Sequence, residues 1–136
     1  GILAPVARRW KGQISEVAKA WAQFEFLPEA DHNTLAGIEN PEALLSQTMV
    51  IFLRASLDHP QNILRSDLTR QTFMLAGLGT DYFEAKGQTR IAQMWTTLHF
   101  GDYVSYYLAM AYGVDPTPVP AIESFKIALK HAGKSK

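Results

Sequence analysis

"TMVIFLRA", Thr48 to Ala55, sets five consecutive apolar residues, Met49 to Leu53, between a threonine and an arginine. Strict alternation would mark a strand with one wet side. A continuous β-branched and aromatic run of this length predicts a strand covered on both faces. Downstream, Asp58-His59-Pro60 is a helix-start signal, and Ile63, Leu64, Leu68 and Leu75 pattern a helix over Gln61 to Leu75. Gly77 and Gly79 end that helix, and "TDYFEA", Thr80 to Ala85, predicts a further strand. Strands alternating with helices indicate an α/β layer fold with a mostly parallel sheet.

Outside this unit, Val6, Trp10, Ile14, Val17 and Trp21 recur at helical spacing and predict a helix from about Ala4 to Gln23. "FEFL", Phe24 to Leu27, alternates like a short strand and stops at Pro28. Gln88 to Tyr112 is apolar nearly all round, which predicts a central buried helix capped at Gly113 and stopped by Asp115-Pro116. A last helix is expected from about Val119 to Leu129, and the terminal "GKSK" is expected to fray. Three strands make a thin sheet for four long helices, and the chain begins almost directly with a helix. The expectation is therefore one half of a larger protein.

The chain has 136 residues, 47% hydrophobic and 19% charged, which fits one globular domain or part of one. Thirteen basic residues balance thirteen acidic ones, so no basic face is available for nucleic acid or an anionic membrane. The absence of cysteine excludes disulfides, a thiol nucleophile and zinc–thiolate sites, and it suits a cytoplasmic location. "GILAPVARRW" lacks the apolar core of a signal peptide. The most apolar window, Met94 to Val114, carries His99, Asp102 and several tyrosines, and reads as a buried helix instead of a membrane span.

The four histidines, His32, His59, His99 and His131, match no zinc spacing, and no metal or cofactor is expected. His59 stands at a helix start and His131 near the C-terminus, both places where a solvated histidine is the ordinary reading. His99 falls in the predicted buried helix, where a hydrogen-bonded core residue is the ordinary reading. His32 follows the expected strand "FEFL" by a few residues, and ligands of open α/β sheets collect beyond the carboxyl ends of strands. An imidazole there can transfer protons near neutral pH, although a polar loop would look the same. "LAGLGTD", Leu75 to Asp81, leads into a strand instead of opening a helix, the wrong context for a phosphate cradle.

Two further residues divide differently. Taking about 100° per residue, the stripe through Trp10, Val17 and Trp21 lies roughly 130–140° from Glu16, so periodicity makes Glu16 a solvent-facing carboxylate near Arg9 and Lys19. Lys126 falls inside the arc of Val119, Ile122, Phe125 and Leu129. Its stem could simply snorkel from that face, or its ammonium could be held in a cleft.

Three stretches, "PVARRWKGQISEVAKAWA", "LPEADHNTLAG" and "GDYVSYYLAMAYGVDPTPVPAIESFKIAL", together resemble the C-terminal half of bifunctional phosphoglucose/phosphomannose isomerases. The resemblance runs in order over nearly the whole chain. It implies a partial three-layer SIS (sugar isomerase) domain over residues 1–136, one of two such domains in the parent protein, acting in glycolysis and gluconeogenesis. It also implies aldose–ketose isomerisation of glucose 6-phosphate, and of mannose 6-phosphate, to fructose 6-phosphate through a cis-enediol. On that resemblance Glu16 would move the proton between C1 and C2. His32 would assist ring opening from the partner subunit of a homodimer, and Lys126 would be the remaining ring-opening and sugar-contacting group. A carboxylate base, an imidazole and an amine suit those steps without a metal.

Ser15, Asp31 and Thr34 depart from the asparagine, asparagine and glutamate usual in the family at those places, which touches the surroundings of the three groups and not the groups themselves. The N-terminal SIS half, whose Ser/Thr-rich loops hold the phosphate in the family, lies outside this sequence, so the chain alone is expected to have little or no activity. The competing readings are a non-catalytic SIS module that binds a sugar phosphate for regulation, and a dimerisation domain built on helix 88–112.

Overall fold

In the computed structural model, which describes residues 1–133, the strand–helix–strand unit forms as its sequence suggests. Strand β1 (Met49–Arg54) and strand β2 (Gly79–Glu84) pair in parallel, with Met49 opposite Gly79 and Arg54 opposite Glu84. Helix α3 (Pro60–Leu75) makes the crossover. His59 is its N-cap, and the imidazole Nδ1 accepts from the Gln61 N–H at 3.2 Å while Pro60 occupies the first helical position.

Helices cover both faces of this sheet. Phe52 of β1 points to α3, where its ring lies 6.1 Å from that of Phe73. Leu53, one residue on, points to the opposite side, as the two-residue period of a strand requires. There it joins a core of Leu3, Val6 and Trp10, the first just before and the others within helix α1 (Ala4–Val17), and Met94, Leu98 and Val104 from helix α4 (Arg90–Tyr112). Trp10 is the keystone of that layer. Its ring lies 6.3 Å from Phe83 and 6.0 Å from Phe100, and its indole N–H donates to the Thr97 carbonyl at 3.0 Å.

The structure corrects four expectations. Phe24–Leu27 is not a strand; the chain runs through it with no ladder partner, because alternation creates a strand only where an edge is available to pair with it. The sheet of the described residues therefore has two strands and not three. Helix α1 ends at Val17 instead of Gln23, and Trp21, counted on its apolar stripe, is 89% exposed. Only the C-terminal half of β1 is covered on both faces: Met49 and Ile51, on the side of α1 and α4, remain exposed.

Helix α4 is the fourth correction. It begins at Thr89, whose hydroxyl accepts from the Ala92 N–H at 3.1 Å, and ends at Gly113 in the left-handed conformation, φ 66°. Its buried stripe is Gln93, Thr97, Gly101, Ser105 and Ala109, and its outer face presents Trp95, Tyr103, Tyr107 and Met110. Close packing of α1 on α4 needs a small residue where Gly101 meets Trp10, and Trp95, Tyr103 and Tyr107 point away from that contact. His99 is accordingly exposed, edge-on to Tyr103 at 4.9 Å between ring centres, and is not a core residue. Helix α5 (Pro120–Ala132) follows, with every residue of it exposed.

Candidate functional site

Glu16 sits in the last turn of α1, exposed, as its angular distance from the apolar stripe predicts. What ends the helix beside it is Lys19, the one non-glycine residue with positive φ among those described, at 55°. From that left-handed position the Lys19 ammonium turns back and donates to the carbonyls of Glu16 at 2.7 Å and Val17 at 3.3 Å. These belong to the last turn of carbonyls, which lack helical partners and form the negative end of the helix. The third bond, to the Pro116 carbonyl at 3.1 Å, reaches the segment that leads to α5. Sequence reasoning placed Lys19 beside Glu16 but gave no signal of this bridge, since it depends on a residue 97 positions away.

His32 lies in the loop between α1 and a short helix, α2 (Glu42–Leu45), directly after a 3-10 turn over Glu29–Asp31. The imidazole is exposed, and the loop beneath it is tied down by its neighbours. Asp31 accepts from the hydroxyl of the buried Thr69 on α3 at 2.7 Å and pairs with Arg65 at 3.7 Å. Glu29 accepts from the Asn33 amide at 3.0 Å, and the Asn33 side-chain oxygen in turn accepts from the Thr34 N–H at 2.6 Å. The two carboxylates flanking His32 are therefore engaged in shaping the loop, and Asp31 anchors it to α3.

Lys126 projects from α5, on a helix that carries Ile122, Phe125 and Leu129 exposed along the same arc. Among the described residues, the side chains of Glu16, His32 and Lys126 make no hydrogen bond or ion pair with one another. A shallow groove of about 440 Å³ lies at the end of α1, lined by Ala18, Lys19, Ala20, Trp21, Tyr112 and Val114, just past Glu16. A second, of about 340 Å³, runs along the outer face of α4 past Trp95 and His99 and is lined by none of the three. Among the described residues no three His, Asp or Glu side chains converge in a way that could hold a metal ion, and no helix is long and apolar enough to cross a membrane.

Residues 1–129 match the family model described as the bacterial phospho-glucose isomerase C-terminal SIS domain. The chain is 37% identical over 126 residues to a bifunctional phosphoglucose/phosphomannose isomerase of Caldicellulosiruptor bescii, an alignment covering 93% of this chain and 37% of the relative. It is also 37% identical over 129 residues to the protein of that name from Aquifex aeolicus, covering 95% of this chain and 40% of the relative. The chain thus spans about two-fifths of the length of these curated relatives. Among solved structures it is similar in fold to a glucose-6-phosphate isomerase like protein from Thermus thermophilus, with a TM-score of 0.65 at 21% identity over 85% of this chain and 36% of that one.

Proposed function

The chain belongs to the bacterial phospho-glucose isomerase C-terminal SIS domain family, and from that premise we propose that it is the C-terminal half of an isomerase that converts glucose 6-phosphate, and mannose 6-phosphate, to fructose 6-phosphate. The observation that carries this reading is the 37% identity over 93% of the chain to a relative of that name. The chemistry follows from the residue types. With the sugar open, the Glu16 carboxylate takes the proton from C2 of the aldose as the C1 carbonyl oxygen gains one, leaving a cis-enediol. It returns its proton to C1 as the C2 hydroxyl gives its own up, to leave the ketose. His32 and Lys126 serve the preceding ring opening, one donating to the ring oxygen while the other accepts from the anomeric hydroxyl.

The surroundings of these groups support a composite site. Glu16, His32 and Lys126 are all exposed, on a helix end, a tied loop and a projecting helix. A site assembled from an N-terminal SIS half and a second subunit needs its acid and base groups presented outward in this way. In that arrangement His32 works in the neighbouring protomer of a homodimer, and the phosphate is held by residues of the other half. The 136-residue chain by itself has little or no isomerase activity.

The test is an assay of the complete parent protein with both aldose 6-phosphates, followed by Glu16→Gln. Positioned proton transfer contributes roughly 100- to 10,000-fold, and a loss of that order in kcat is expected with the fold intact. Failure of the wild type to isomerise either sugar refutes the enzyme reading. Near-full activity of Glu16→Gln refutes only the assignment of the base.

A further inference from the structure

We propose that Lys19 is a positioning residue for the isomerisation, locking the end of α1 that carries Glu16 to the segment that leads into α5 and Lys126. The inference rests on the functional reading above, and it starts from an unfavourable backbone. An L-residue with a Cβ seldom adopts the left-handed conformation, and the place just past a helix end is usually given to glycine or asparagine for that reason. Lys19 holds it, at φ 55°.

The side chain shows what maintains it there. An ammonium has three N–H donors, and the three here are directed at three carbonyls, Glu16 at 2.7 Å, Val17 at 3.3 Å and Pro116 at 3.1 Å. Two of these would suffice to cap the helix. The third has no capping role, because Pro116 lies between α4 and α5, 97 residues away. A groove lined by Ala18, Trp21, Tyr112 and Val114 opens at this seam, with Lys19 in its wall. The ammonium is therefore a direct polar link between the two segments.

Its consequence falls on the reaction. Every residue of α5 is exposed, so the direction of that helix, and with it Lys126, depends on how residues 114–119 are held. The same ammonium fixes the last turn of α1, from which the Glu16 carboxylate projects. A proton moved between adjacent carbons demands tight placement of the base, and a misplacement of about 1 Å can cost on the order of 100-fold in rate.

Lys19→Gly in the complete parent protein separates positioning from support of the fold, because glycine relieves the left-handed backbone while removing all three donors. The expected result is a folded protein with kcat for glucose 6-phosphate lowered about 10-fold or more and KM changed little. Lys19→Arg, which retains donors and charge, should recover most of the rate. In a Glu16→Gln background Lys19→Gly should cost clearly less than in the wild type, since the part of its effect that acts through the base is lost once the base is gone. An active wild type whose Lys19→Gly variant keeps its kcat overturns the proposal, as does a loss that adds in full to that of Glu16→Gln. A Lys19→Gly protein that does not fold overturns it too, because the lysine would then serve the fold as a whole. A wild type without isomerase activity removes the functional reading itself, and the positioning role with it.

Discussion

Gly101 and Gly12 are both helical glycines, and the structure predicts opposite outcomes for the same substitution. Gly101 faces α1 from the buried stripe of α4, and a Cβ built there collides with the Trp10 indole at Nε1, Cδ1 and Cε2. The indole cannot easily retreat: it is 5% exposed, flanked by Phe83 and Phe100, and bonded to the Thr97 carbonyl. Overpacking of this kind costs about 1–3 kcal/mol, and displacement of the indole forfeits a buried hydrogen bond worth about 1 kcal/mol. Against this, replacing glycine in a helix interior with alanine gains about 1 kcal/mol. Gly101→Ala should therefore destabilise by about 2 kcal/mol. With a urea dependence of about 2 kcal/mol/M the unfolding midpoint falls by about 1 M. Gly12, in α1, has nothing within 4 Å of the added carbon, so Gly12→Ala keeps only the helix gain and should raise the midpoint by about 0.5 M. Urea unfolding followed by tryptophan fluorescence measures both. Equal midpoints for the two variants, or a Gly101→Ala protein as stable as wild type, would refute the packing of α1 on α4 described here.

Thr69→Val keeps the shape of a buried side chain and deletes the donor to Asp31. About 1–2 kcal/mol of stability should be lost, and hydrogen exchange at the amides of residues 29–35 should accelerate; unchanged exchange there would show that the loop is held by other means. Gln93→Leu is expected to be more damaging. The Gln93 amide is almost wholly buried and donates to the Ser56 hydroxyl at 2.6 Å and the Gly87 carbonyl at 3.0 Å, so its loss frees the segments that follow both strands. A fall of about 2–3 kcal/mol in unfolding free energy is expected, and a variant as stable as wild type would contradict the network.

How far the fold could be read in the sequence differed from one element to the next, and the difference has one cause. The unit β1–α3–β2 was legible because its signals are local: a continuous apolar run, a proline at the first helical position and a turn built on glycines. Helix α4 was legible in its limits, expected over Gln88 to Tyr112 with a cap at Gly113 and found over Arg90–Tyr112, but not in its orientation. Hydrophobicity placed its aromatics inside, whereas its buried positions are Gln93, Thr97, Gly101, Ser105 and Ala109 and its aromatics are exposed. "FEFL" carries the period of a strand, yet a strand exists only if another one pairs with it.

The candidate site divides along the same line. Residue types suited to acid–base chemistry and the exposure of Glu16 are properties of short stretches of chain and were legible there. Which helix anchors the His32 loop and what joins the end of α1 to the segment leading into α5 were decided by tertiary structure. Each depends on a partner remote in sequence, Pro116 for Lys19 and Thr69 for Asp31. A hydrogen bond is made by proximity in space, and proximity across 97 or 38 residues exists only once the chain has folded.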